Sequence, residues 1–371
     1  MNDKQLIILG SSARAAAQSA CRAGYSVYWI DQFGDTDLRA IGQGRVIPEG
    51  GYPELLSELL RVAPAAPFLY TGALENYPET LGELQRARRL LGNNSAVCVS
   101  LQQHQSVADL FAAHGLPVPA VSGKPAAGRW LQKPVRGAGG AGIQLHDGRT
   151  PVGEVYLQQY IDGESRSAVF IGDGRHCQLL GVSRQLVGLP ELHAQRYSYC
   201  GSVGPLTISA RERANWSNLA ELLVSEFALT GLFGIDAIVT GETVYPVEIN
   251  PRYTASVEIY EKAWAITTID LHCQASLNQV FTMPQGRATG VVAKGYLFAP
   301  HDLLFPDPTQ MRRDLQLDTT TELADIPPTG QRISGGHPIM SLLLSHTDID
   351  QAHNDLLQLA TTIYDYCESG Q

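Results

Sequence analysis

The opening of the chain leaves little choice of architecture. Leu6–Leu9 is a short apolar run, Gly10-Ser11-Ser12 reads as a turn, and Ala13–Ala23 is Ala-rich and helix-prone. Gly24 stops that helix before a second apolar run, Tyr25–Ile30. Two strands joined through a helix must lie parallel, and parallel strands sit in a sheet covered on both faces. Asp31 closes the second strand, which gives the strand–turn–helix–strand–acid order of a dinucleotide-binding unit. Gly10 stands alone, though, where that fingerprint needs three glycines. The expectation is therefore a structural Rossmann-like layer. The alternation continues with helices over Pro53–Val62, Pro78–Leu91 and Gln105–His114, a strand over Phe68–Thr71, and a domain boundary near Asn94.

Length and charge narrow the class. A chain of 371 residues holds two or three domains. The net charge is −10 and no basic run exceeds Arg88–Arg89, which argues against nucleic acid or an anionic membrane as partner. No window is long and apolar enough for a membrane span, and Leu6–Leu9 is too short for a signal-peptide core. The six cysteines (Cys21, Cys98, Cys177, Cys200, Cys273, Cys367) are scattered without a C-x-x-C pair, so neither a disulfide scaffold nor a zinc module is expected. A cytoplasmic location fits these features.

Beyond Trp130 the texture becomes strand-rich. Trp130–Pro134 and Ile143–Leu145 flank a loop in which Gly137, Gly139, Gly140 and Gly142 follow Lys133. Such a loop lets backbone N–H groups approach phosphate oxygens, with the lysine as a point charge. A glycine-rich hairpin without a ligand explains the loop equally well. Strands are expected over Val155–Ile161 and Arg166–Ile171, then a helix over Arg211–Leu229.

The sharper feature is a hairpin, Ile235–Thr240 and Thr243–Ile249, turning at Gly241-Glu242. Glu248 and Asn250 are two apart and leave the same face, and folding sets Asp236 opposite Val247 or Glu248. Two carboxylates and an amide oxygen suit a hard divalent cation, and Arg252 stands beside them as a guanidinium for a phosphoryl group. The apolar neighbours Ile235, Val239, Val247 and Ile249 weigh against ordinary surface acids.

The order of these pieces resembles the ATP-grasp superfamily, and Val247-Glu248-Ile249-Asn250-Pro251-Arg252 is similar to its metal-binding strand. The resemblance implies a mixed α/β and α+β chain. Residues 1–94 would be the Rossmann-like domain and 95–284 the ATP-grasp domain, with its lid at about 125–165. Residues 285–371 would be a small β-rich end with a final helix. It also implies roles. Lys133 would hold ATP phosphate under the flap Gly137–Gly142; Gln159, Tyr160 and Ile161 would meet adenine; Glu164 would take the ribose. Asp236, Glu248 and Asn250 would hold Mg²⁺, with Mn²⁺ as an alternative, and Arg252 would face the transferred phosphate.

Two departures stand out. The family's second ATP lysine has no counterpart in Gln102-Gln103-His104-Gln105, where His104 reads as a solvent-exposed helix-start residue rather than a substitute. The hinge also begins with Gln158 in place of Glu. In Arg184–Gly204, where relatives reach toward the second substrate, Arg184, Arg196 and Tyr199 are candidate contacts, and a plain surface loop is the competing reading. Cys200 lacks a legible catalytic partner, and His337 reads as a turn residue.

The run Asn250–Glu258 resembles a carboligase subgroup that accompanies tetrahydromethanopterin- and methanofuran-linked one-carbon pathways. The implied activity joins a small-molecule carboxylate to an amine through an acyl phosphate, releasing ADP and phosphate. A bicarbonate-activating carboxylase, a kinase and a nucleotide-binding regulator are the rivals. Relatives are commonly homodimers.

Overall fold

The computed structural model describes residues 4–124, 127–279, 281–282, 288–318 and 320–369. Its first layer is a parallel sheet in the order Gln43–Val46, Tyr25–Asp31, Lys4–Leu9, Phe68–Tyr70. Ile7, Ile8 and Leu9 are fully buried, as a strand covered on both faces must be. The helix Arg14–Arg22 packs Ala16, Ala17 and Ala20 against one face, and Leu56, Leu60, Leu81 and Leu84 fill the other. The order reverses between Lys4–Leu9 and Phe68–Tyr70, and the crevice beyond their carboxyl ends is the natural place for a ligand in such a sheet.

Local departures have physical causes. The helix expected over Pro53–Val62 starts at Leu56, after a turn closed by Leu56 N–H donating to the Pro53 carbonyl. The helix expected over Pro78–Leu91 ends at Ala87, because Arg89–Leu91 pairs with Phe68 at the sheet edge instead. An unforeseen helix, Ser95–Leu101, is capped by the Asn94 side chain, which accepts from Val97 N–H at 3.1 Å.

The second layer is an eight-stranded antiparallel sheet. Its order is Thr243–Asn250, Thr230–Thr240, Glu164–Asp173, Cys177–Val187, Tyr199–Gly204, Val291–Phe298, Pro338–His346, Thr321–Ala324. Three strands of the β-rich tail thus extend the same sheet, and two short ones, Leu303–Leu304 and Arg332–Ile333, pair separately. The two ends of the stretch weighed as a surface loop belong to inner strands, and residues 188–198 between them do not. Gly181 and Gly201 hide that pattern, yet packing requires them. A Cβ on Gly181 would lie 2.5 Å from the Tyr260 ring, and one on Gly201 would lie 2.1 Å from the Lys294 carbonyl.

A third, antiparallel sheet spans the region expected as the lid: Val121–Ser122, Val155–Gln159, Trp130–Pro134, Gln144–Leu145. The helix Ala210–Phe227 sets Trp216, Leu219 and Leu223 against Phe170 and Phe233 of the large sheet. The final helix, Ile349–Ser369, covers the tail strands. No helix among the described residues is long and apolar enough to cross a membrane. The boundary expected at residues 284/285, and residue 125 at the lid's expected start, lie outside the described residues.

The layers are stitched together at the hairpin's end. Tyr70 Oη and Asn93 Nδ2 both donate to the Pro251 carbonyl, at 3.1 and 3.0 Å. His272 accepts from Leu232 N–H at 2.9 Å and meets the Leu91 carbonyl at 3.0 Å. The first sheet therefore fixes where Arg252 emerges.

Candidate active site

The hairpin sets its acids in register. Asp236 is paired with Glu248, and a bulge follows at Asp236/Ala237. Bulges re-aim side chains at the ends of sheets. Asn250 bridges the group, donating from Nδ2 to Asp236 Oδ2 at 3.2 Å and accepting on Oδ1 from Arg252 Nη2 at 3.0 Å. Arg252 is held from its other side by Glu75, whose Oε1 accepts at 2.6 Å.

Glu75 escaped sequence reasoning. It lies in the turn Leu74–Asn76, just past the carboxyl end of Phe68–Tyr70, and the strand order was the signal that could have found it. Its Oε2 is buried without a partner among the described residues.

Lys133 shares a cavity between lid, hairpin and first sheet with Glu248, Asn250 and Glu75, whereas Asp236 and Arg252 do not line it. Its Nζ donates to Gln158 Oε1 and to the Val247 carbonyl, both at 3.2 Å. Lys133, Gly137, Gly140, Glu248 and Asn250 line the cavity together with Glu75, Asn76, His104, Tyr156 and Gln158. His104 is no exposed helix-start residue: it is half-buried and stacked on Tyr156 with centroids 4.0 Å apart. The Tyr156 ring lies where the lid sheet meets the helix His104–Ala113, which draws His104 inward.

The electrostatics follow from crowding. The Asp236 carboxyl is pushed up by burial, against hydrogen bonds from Ser167 and Gln185 and the charge of Arg252. Glu248 is raised by desolvation in the cleft and by Asp236, with Lys133 and Arg252 offsetting part of this. Its side chain still reaches solvent through the cavity.

The glycine loop is closed down. Asn76 Nδ2 donates to the Gly137 carbonyl at 2.7 Å, and Tyr199 N–H donates to the Gly139 carbonyl at 3.0 Å. Gly140, at φ +81°, packs so tightly that a Cβ would fall 1.9 Å from the Tyr197 carbonyl. Gly139 and Gly142 also adopt positive φ but do not line the cavity.

Other candidates lie apart from it. Gln159 N–H donates to the Ala120 carbonyl and Tyr160 N–H to the Arg129 carbonyl, so the lid's own sheet occupies both, and neither residue lines the cavity, nor does Ile161. Glu164 is paired with Arg166 and Arg184, and Arg184 also reaches Asp350 at 2.9 Å. Arg196 is exposed, its guanidinium 5.3 Å from the Tyr197 ring centroid. Tyr199 Oη shares a 2.8 Å hydrogen bond with Ser202. Cys200 is buried, which pushes its thiol up to about 11, and His337 sits in a turn at Ser334–His337. No group of three or more His, Cys, Asp or Glu that could hold a metal occurs among the described residues, so the hairpin set rests on its amide as well.

Residues 104–256 match the ATP-grasp domain family. The chain has the ATP-grasp fold. The biotin carboxylase domain of Hydrogenobacter thermophilus 2-oxoglutarate carboxylase aligns at TM-score 0.74 and 14% identity, over 95% of this chain and 88% of that one. N5-carboxyaminoimidazole ribonucleotide synthetase from Thermotoga maritima aligns at 0.69 and 14%, over 96% and 98%. L-amino acid ligase from Bacillus licheniformis aligns at 0.73 and 14%, over 97% of each. A comparison with curated protein sequences finds no match. ATP-grasp enzymes use ATP with Mg²⁺, and the first of these structures holds MgADP.

Proposed function

We propose that this chain is an ATP- and Mg²⁺-dependent ligase that joins a small-molecule carboxylate to an amine and releases ADP and phosphate. The supporting observation is that Lys133, Glu248 and Asn250 line one cavity under a closed glycine loop, with Asp236 and Arg252 bonded to Asn250 behind its wall. The donor set fits a hard cation. Burial raises the pKa of Asp236, burial and Asp236 raise that of Glu248, and Asn250 Oδ1 keeps a second lone pair beside its bond to Arg252. Mg²⁺ or Mn²⁺, held by Asp236, Glu248 and Asn250, would supply charge neutralisation at phosphate oxygens.

The chain's own residues do the rest. Lys133 and Arg252 spread the charge on the phosphoryl group in flight, and Glu75 keeps Arg252 aimed. The substrate carboxylate attacks the γ-phosphorus and ADP leaves; the amine nitrogen then attacks the acyl carbon and phosphate leaves. The loop latched to Asn76 and Tyr199 keeps water from the acyl phosphate. Gln159, Tyr160 and Ile161 remain the proposed adenine contacts and Glu164 the ribose contact, which requires Glu164 to exchange an arginine for hydroxyls. Exposed Arg196 is better placed than paired Arg184 to take a substrate carboxylate, with Tyr199 nearby.

The reading divides the chain at residues 94 and 284, in a homodimer. Its narrowest form, a role in one-carbon cofactor biosynthesis, rests on the run Asn250–Glu258 alone. The bicarbonate-activating carboxylase is the second reading, favoured by the likeness to a domain solved with bicarbonate.

The deciding assay follows ADP release from Mg-ATP with a deproteinised metabolite extract, then weighs what is consumed and formed. A product of acid plus amine minus water supports the ligase. A gain of CO₂ supports the carboxylase. ATP binding without ADP release from any pool overturns both.

A further inference from the structure

His104 opens the helix His104–Ala113, and its ring lies nearly parallel to that of Tyr156, 22° from coplanar. Both rings line the cavity with Lys133 and Gln158. The imidazole Nε2 is buried and has no hydrogen-bond partner among the described residues. The neutral ring carries its proton on one nitrogen only, and in the tautomer protonated at Nδ1 the orphan Nε2 presents a lone pair. A buried polar atom without a partner is costly, so a ligand that supplies the partner is favoured there.

The charged neighbours are few. Lys133 and Tyr156 face the ring from the lid, while Glu75 and Glu248 stand on the far walls of the cavity. The residues that His104's own helix sends to the cavity are Val107, Ala108 and Phe111. Burial, opposed by a bond to the Val135 backbone and aided by Lys133, holds the free ring down to about 4.

We propose that His104 contacts the nucleotide polyphosphate beside Lys133 and takes up a proton at Nε2 only when the nucleotide is in place. The inference rests on the nucleotide reading above. A phosphate oxygen within hydrogen-bond reach favours the imidazolium strongly enough to offset burial. The proton comes from solvent, an N–H bond forms at Nε2, and that N–H donates to the phosphate. Linkage then makes nucleotide affinity rise as pH falls, by up to about ten-fold per pH unit for one proton.

The test is calorimetric titration of the full chain with MgADP in two buffers of different ionisation enthalpy. Wild type should take up protons on binding, beyond any uptake by ADP itself. His104→Gln should lose that excess and bind more weakly at acidic pH. His104→Lys, with a fixed charge, should lose the excess while keeping affinity. Equal proton uptake in wild type and His104→Gln, with both melting normally, overturns the proposal and leaves the nucleotide site standing. No binding of MgADP by folded wild type overturns the nucleotide reading, and the proposal with it.

Discussion

Two glutamates a short way apart on the chain meet opposite fates. Glu258, in the helix Val257–Trp264, is gripped by Arg14 from the first layer and by Lys294 from the large sheet. Both cations are fully buried, and Arg14 also meets Asp325 at 2.9 Å. Burial alone would raise this carboxyl, yet Arg14 and Lys294 hold it well below the usual range. Glu248 has no side-chain hydrogen bond or ion pair among the described residues, and it is raised to about 7 by desolvation and Asp236. The saturated acid is a clamp between layers. The unsaturated one lines a cavity and leaves its bonding to a ligand.

Breaking the clamp should have the largest effect on stability. Arg14→Met leaves Glu258 and Asp325 short of a buried partner, and removing one partner of a buried pair costs about 3–5 kcal/mol. Urea unfolding should show that loss. A cost under about 1 kcal/mol would mean the network is no clamp.

Glu248→Gln should do the reverse. Turnover should fall on the order of 10²- to 10³-fold, as when a group that stabilises the transition state is lost, while the fold stands or firms. The pH signs separate the two acids further. Glu258 lies below its ordinary 4.5, so its contribution is full above that pH and fades as pH falls beneath it. Glu248 lies above 4.5, so the native state binds the extra proton and stability declines as pH rises from about 4.5 to about 7. Its side chain is open to the cavity, and screening reduces the effect to about 1 kcal/mol. Without divalent cation, Glu248→Gln should gain on wild type at about pH 8 and not at about pH 5. Parallel curves would show that Glu248 is unstrained.

The same contrast explains what the sequence revealed. Glu248, Asn250 and Asp236 were legible because a two-residue period on a short hairpin fixes which side chains share a face. Leu6–Leu9 and Tyr25–Ile30 were legible because buried parallel strands are apolar throughout. Glu75, Arg14 and Lys294 were not, because their partners lie far along the chain and only the assembled layers bring them together. His104 was misjudged for a related reason: a helix start is exposed by default, and here the lid strand bearing Tyr156 covers it. Cys177–Val187 was missed because Gly181 and Ser183 break the apolar alternation where helix and sheet approach closely.

The smallest predicted effect sharpens the contrast at the glycine loop, which touches both layers. On one side Gly140 leaves no room for a side chain against Tyr197, so that contact is fixed by shape. On the other a hydrogen bond from Asn76 to the Gly137 carbonyl and an exposed Arg136–Glu79 ion pair join the loop to the first layer. Asn76→Ala removes about 0.5–1.5 kcal/mol of latch. That bond is made only in the closed loop, so the loss should fall on nucleotide retention and not on global unfolding. The KM for Mg-ATP should rise about 2- to 10-fold, with the urea midpoint unmoved and faster proteolysis within Gly137–Gly142. If KM stays put while the midpoint drops, Asn76 belongs with Arg14 as a clamp, and the loop is held by Tyr197, Tyr199 and the Arg136–Glu79 pair.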